Sequence, residues 1–136
     1  MEKTFSQQMA ETLSYFVENP KNNRCSFNGD CSYNPCGESL SKGCFVGVLI
    51  DDTELKHEMD DMGTDANGLA DEKSILDRLP TIVSENLDVM QSFQTLHDCE
   101  PYWTEDNLSD RGRVKLRKII ENHSELNLED FKQFLD

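Results

Sequence analysis

Cys44, His97 and Asp98 have the side-chain types that covalent chemistry needs. Cys44 stands in Gly43-Cys44-Phe45-Val46-Gly47-Val48-Leu49-Ile50, the only stretch in which six apolar side chains follow one another with no charge among them. With Ser41 as N-cap of a short buried helix, the thiol falls in the first helical turn, where the positive end of the dipole favours a thiolate. An imidazole at His97 could take the thiol proton while Asp98 orients the ring, an arrangement suited to acyl transfer or thiol chemistry. The competing reading is structural. An apolar run around a cysteine is also the setting of an inert, buried thiol, and a His-Asp pair closing a helix is the setting of a hydrogen-bonded histidine.

The same residues supply soft metal ligands. Cys31, Cys36, Cys44, His97 and Cys99 make the candidate zinc set, zinc being the one cofactor the composition brings into question. Structural zinc sites pair cysteines with two to four residues between them, and only Cys31-x4-Cys36 meets that spacing. Cys25, on the opposite face of the ribbon expected around Asn28-Gly29, is excluded from the set. Five cysteines, an odd number, argue for reduced thiols over a disulfide framework.

Charge is the strongest signal for a partner. The net charge is −14, and it is concentrated: residues 51–110 carry seventeen acidic groups against three basic ones. Such a surface repels phosphate backbones and anionic lipid, which excludes direct nucleic-acid or membrane binding by this segment and favours a protein with a basic surface. Asp60, Asp61, Asp65, Asp71 and Glu72 are the candidate binding residues. Arg111, Arg113, Lys115, Arg117 and Lys118 form a compact basic cluster, expected to pair with the acidic middle or to be solvated. No stretch approaches the roughly 18 apolar residues that span a bilayer, so the expected location is the cytosol. Oligomeric state is left open.

Positioning these groups requires helices. Phe5, Met9, Leu13, Phe16 and Val17 recur at three- and four-residue spacings, predicting a helix over 4–19 that Pro20 ends. Asn28-Gly29 predicts a tight hairpin turn with Ser26 opposite Cys31 and Phe27 opposite Asp30. The apolar run is read as helix in preference to strand. Leu55, Met59 and Met62 give a short helix before Gly63. Residues 60–71 look like a calcium loop, but Gly63 and Ser74 fall where the first and last ligands belong, so a solvated loop is expected. Ser84-Glu85-Asn86 opens a helix carrying Leu87, Met90, Phe93 and His97, with Val89 and Leu96 beside them. Val114, Leu116, Ile119 and Ile120 predict a helix to about His123, and Leu126, Leu128, Phe131, Phe134 and Leu135 a last one capped by Asn127. The result is one mainly α domain over 1–136, a bundle of about five to six helices with one short β-hairpin near residues 24–33. Its parts are the N-terminal helix 4–19, a cysteine-rich hairpin and apolar segment 24–50, an acidic middle 51–110 and C-terminal helices 111–136.

The pattern Cys31-x-Tyr33, then Gly43-Cys44-Phe45-Val46-Gly47-x-Leu49-Ile50-x-Asp52, then Glu58-Met59-Asp60, then Phe93-Gln94-x-Leu96-His97-Asp98 with Trp103, resembles a set of short proteins encoded by bacteriophages and bacteria. This chain differs from them in Cys25, Cys36 and Cys99, in the bulkier Phe45 and Val46, and in its acidic middle. The resemblance implies a phage-type or mobile-element accessory protein and supplies no mechanism. With the charge pattern, it gives the expected function: a non-enzymatic interaction protein, an inhibitor that could occupy the basic nucleic-acid-binding groove of a host protein. A cysteine-dependent enzyme using Cys44, His97 and Asp98, and a zinc-stabilised structural module, are the alternatives.

Overall fold

Thr4 begins the first helix by a reciprocal capping box, its Oγ1 accepting from Gln7 N at 3.1 Å and its own N–H donating to Gln7 Oε1 at 3.0 Å. Helix α1 (Phe5–Glu18) then buries Met9, Leu13 and Phe16 on one face, as its apolar spacing dictates. The computed structural model describes residues 3–20, 26–27, 30–31, 44–62 and 68–135. Among these the chain is mainly helical. The helices after α1 are α2 (Phe45–Val48), α3 (Thr53–Met62), α4 (Lys73–Leu76), α5 (Thr81–Ser84), α6 (Leu87–Asp98), α7 (Asp110–Asn122) and α8 (Leu128–Leu135). Three of them, α2, α4 and α5, are single turns of four residues, too short to persist without tertiary support.

Around residues 24–33, where a hairpin is expected, the described β structure is a two-residue antiparallel ladder, Ser26–Phe27 against Asp30–Cys31, with Ser26 opposite Cys31. The turn residues Asn28 and Gly29 lie outside the described residues, as do Cys25, Cys36, Ser41 and Asp65. A ladder of this length contributes little, and the helices carry the architecture.

Helix α6 occupies the centre. Its buried residues Val89, Met90, Phe93, Gln94, Leu96 and His97 form a stripe two side chains wide, which lets it pack α2 on one side and α7 on the other. Helix α8 closes the bundle against α1 and α7, capped by Asn127 Oδ1 accepting from Glu129 N at 3.0 Å. The backbone N–H of Asn127 donates to Ser6 Oγ at 2.8 Å, joining the two ends of the chain. One continuous core results, running from Met9 to Leu135.

Several expectations are corrected. Helix α2 begins at Phe45 with Cys44 as its extended N-cap, φ −77° and ψ −178°, so the thiol precedes the first turn. Residues 68–71 form a 3₁₀ turn that buries Leu69 completely, not a wholly solvated loop. Val114 is 53% exposed, because the face of α7 set by Gly112, Leu116, Ile119 and Ile120 lies about 175° around the helix from it. Met62 and Leu128 are also exposed, at 38% and 46%.

The approach to α7 is unusually close. A second 3₁₀ turn (Glu100–Tyr102) packs against it, and the Tyr102 carbonyl accepts from Ser109 N at 2.8 Å. Ser109 Oγ donates to Pro101 O at 2.6 Å and accepts from Gly112 N at 3.1 Å, capping the helix. A Cβ at position 112 would lie 2.1 Å from the Tyr102 carbonyl oxygen, and that oxygen belongs to backbone already held in place. Gly112→Ala should therefore cost about 1–3 kcal/mol through overpacking, read as a lower urea midpoint at unchanged slope; a wild-type midpoint would show that the turn gives way freely.

Candidate functional site

The polar residues that sequence reasoning singles out converge on the end of α6. Because Cys44 makes no side-chain capping bond, the first turn of α2 needs a partner for its N–H groups. Gln94, 48 residues away, supplies it: its Oε1 accepts from Val46 N at 3.1 Å in the buried core. The Gln94 amide then donates through Nε2 to Asp98 Oδ1 at 2.9 Å, and His97 Nδ1 meets the same carboxylate oxygen at 2.7 Å. Asp98 is thus a shared acceptor, its side chain 24% exposed while that of His97 is 1% exposed. The His97 ring packs edge-on against Phe16, centroids 4.7 Å apart.

This arrangement orients an imidazole that is almost wholly enclosed. Cys44 has no exposed surface, and with α2 a single turn there is no helix long enough to polarise its thiol. The structure therefore places Cys44 and His97 in the buried interior, with Asp98 partly exposed at its edge as a hydrogen-bond acceptor. Of the candidate zinc ligands, Cys36 and the Cys31 side chain fall outside the described residues, and Cys99 is half-buried after α6. Among the described residues no three His, Cys, Asp or Glu side chains are grouped to hold a metal ion.

Gln94 is the residue that chemistry-led reading missed. It appears in the Phe93-Gln94-x-Leu96-His97-Asp98 pattern, but nothing in the sequence tells that its amide caps a helix 48 residues away. A second missed feature is a tie between α6 and the end of α7. Ser92 Oγ lies 3.1 Å from His123 Nε2, and His123 Nδ1 lies 3.7 Å from Glu125 Oε1. The order hydroxyl, imidazole, carboxylate resembles a hydrolase triad. Yet Ser92 sits in mid-helix with its hydroxyl 3.2 Å from Asp88 O, and it does not line the adjoining cavity of about 300 Å³, which His123 and Glu125 do. The interaction serves as an interhelix tie.

The third missed feature is Lys56, buried on α3 between Leu55 and Met59. Desolvation lowers its ammonium below the usual lysine value of 10.5, against the opposing influence of Cys44, Asp51 and Asp60. Asp60 is half-buried, as is Glu72, whereas Asp61 and Asp71 are exposed. The exposed acids of α3 are Glu54, Glu58 and Asp61, at the i, i+4, i+7 positions of one face. Arg78 bridges Glu58 and Asp52, so part of this surface is already neutralised. The basic cluster is not paired with the acids of α3: among the described residues Arg113 pairs with the adjacent Asp110 at 3.0 Å, and Arg111, Lys115 and Lys118 pair with no carboxylate. No helix among the described residues is long and apolar enough to cross a membrane.

Comparison of the chain with protein-family models, with curated proteins and with solved structures returns no match.

Two measurements probe the site. Gln94→Met keeps the length of the side chain but leaves the Val46 N–H buried without an acceptor, a loss of about 1–3 kcal/mol; hydrogen exchange at Val46 should accelerate selectively, and unchanged protection would refute the capping role. Lys56→Met tests the buried cation. The folded chain gives up the Lys56 proton before the unfolded chain does, so the cost of burying the charge is fully present below the folded pKa. It is relieved as pH climbs through that value toward 10.5. The variant should be more stable than the parent at neutral pH, with the gap in urea midpoint narrowing as the pH approaches 10.5; a gap that is absent or widens would contradict the assignment.

Proposed function

We propose that this chain is a non-enzymatic accessory protein of phage or mobile-element type, which acts by protein–protein interaction through the acidic surface of its middle segment. Its partner presents a basic surface, such as the nucleic-acid-binding groove of a host protein, and occupying that groove would inhibit it. The observation that carries this reading is the exposed stripe Glu54, Glu58 and Asp61 on α3, turned about 110° around the helix from the buried Leu55 and Met59. Seven residues of helix span about 10 Å, so the stripe sets one carboxylate per ~5 Å, of the same order as the one phosphate per ~3.4 Å of a DNA strand, although the middle one, Glu58, is shared with Arg78. Asp71 extends the acidic surface from the following turn, with the half-buried Glu72 behind it. The enclosure of Cys44 and His97 is consistent with a role that does not need them in contact with solvent. The likeness to short phage and bacterial proteins points the same way.

Charge reversal tests the proposal. A Glu54→Lys/Asp61→Lys variant changes two exposed side chains and leaves the core intact. Captured on the immobilised wild-type chain from host lysate, a specific partner should elute with rising salt and with added duplex DNA. The variant should bind it about tenfold or more weakly, a difference of ~1.4 kcal/mol. Retention of every partner at unchanged salt sensitivity would overturn the reading.

A further inference from the structure

The surface of α7 is opposite in sign to the rest of the molecule. Together with the Glu100–Tyr102 turn it forms an open groove of about 410 Å³, lined by Tyr102, Asp110, Arg111, Val114, Lys115 and Lys118. Its three cations stand at i, i+4 and i+7, the same spacing as Glu54, Glu58 and Asp61 on α3. Each row is therefore about 10 Å long. Within one chain no salt bridge joins the two rows among the described residues. Among those residues the exposed large hydrophobics are Met62, Val114 and Leu128; Met62 ends the acidic row, and Val114 lies within the basic one.

We propose that these two surfaces are the halves of one contact, through which a second copy of this chain docks head to tail, the acidic face of α3 in one copy occupying the basic groove of the next. The inference rests on the acidic-face reading above and names the basic surface it meets. Antiparallel docking sets Glu54 against Lys118 and Asp61 against Arg111, with Glu58, which already bridges to Arg78, facing Lys115; the two helix dipoles are opposed, and Val114 and the half-buried Tyr102 are covered. Because different surfaces meet, the contact is heterologous and builds a ring or an open chain.

The net charge of −14 makes the salt dependence diagnostic. At ~0.15 M salt the Debye length is about 8 Å, so ion pairs in contact act while the rest of the two molecules is largely screened. At ~0.01 M it is about 30 Å, and whole-molecule repulsion opposes docking; at ~1 M the pairs themselves are screened. Association should therefore peak near physiological ionic strength.

Sedimentation of the full chain decides the matter. At about 100 μM protein, where micromolar contacts are populated, the average mass should exceed 15.6 kDa at ~0.15 M salt and fall towards it at both ~0.01 M and ~1 M. A groove variant, Arg111→Glu/Lys115→Glu/Lys118→Glu, and a stripe variant, Glu54→Lys/Glu58→Lys/Asp61→Lys, should each sediment as monomers. Mixed, they should associate, because opposite rows are restored between unlike copies. Should a triple variant lose its helical circular dichroism, Lys118→Glu and Asp61→Lys replace the two in the same scheme. A monomeric wild-type chain at ~0.15 M salt, or association that survives in either variant alone, would overturn the proposal. The groove variant keeps its acidic stripe, so lysate capture by that variant reports on the acidic-face reading separately: self-association can fail while capture persists.

Discussion

The rings of Phe45 and Phe93 lie nearly parallel, 7° apart in plane with centroids separated by 4.8 Å, and the core is arranged on either side of them. Phe16 stacks beyond Phe45 at 6.0 Å and Phe131 beyond Phe93 at 5.9 Å, so one aromatic column crosses α1, α2, α6 and α8. All four rings are fully buried. Each such ring contributes about 1.5–3 kcal/mol by burial, and aromatic pairs add ~0.5–1.5 kcal/mol, against a net stability of about 5–15 kcal/mol for a domain. The column is also what makes α2 exist. Four residues cannot hold a helix by local bonds alone, and the turn is kept because Phe45 is clasped between helices distant in sequence.

That clasp creates a polar problem, which Gln94 solves. Driving Val46 into the core takes its N–H out of water, and an unpaired donor there is costly. The Gln94 amide satisfies it and passes its own N–H to Asp98, whose partial exposure leaves the far end of the chain of bonds in contact with solvent. His97 joins at the same oxygen. The polar signature at the end of α6 thereby supports an apolar insertion, through a buried glutamine and histidine and a partly exposed aspartate.

What could be read from the sequence follows from what was local. Helix α1, with its apolar face and Pro20, and helix α8, with Asn127 as cap, depend on residues a few positions apart and could be written down from spacing alone. The pairing of Ser26 with Cys31 is likewise a near-neighbour property. Long-range facts were hidden. Gln94 reads as an ordinary polar residue until α2 is placed against it, Lys56 reads as a solvated lysine until Leu55 and Met59 draw it inward, and Gly112 gives no sign that a carbonyl occupies the space of its missing side chain. Val114 misled because a β-branched residue near three other apolar positions looks like core, although its angle on the helix points away from them. The candidate site was legible as a set of names, and its geometry was not.

The outer surface obeys a different constraint from the core. A buried lysine beside Asp51 and Asp60 and an arginine bridging Asp52 and Glu58 together use two of the three cations in residues 51–110. The carboxylates left over exceed what the segment can neutralise. Their mutual repulsion destabilises the compact state unless salt or a partner relieves it, while the uncompensated cations of α7 lie on another helix with no short path to them. A chain selected for stability alone would interleave these charges, since alternating signs on exposed helix faces add support at each i, i+4 step. Segregating them onto separate helices gives up that support, and it is recovered only when something of opposite sign is brought to each face.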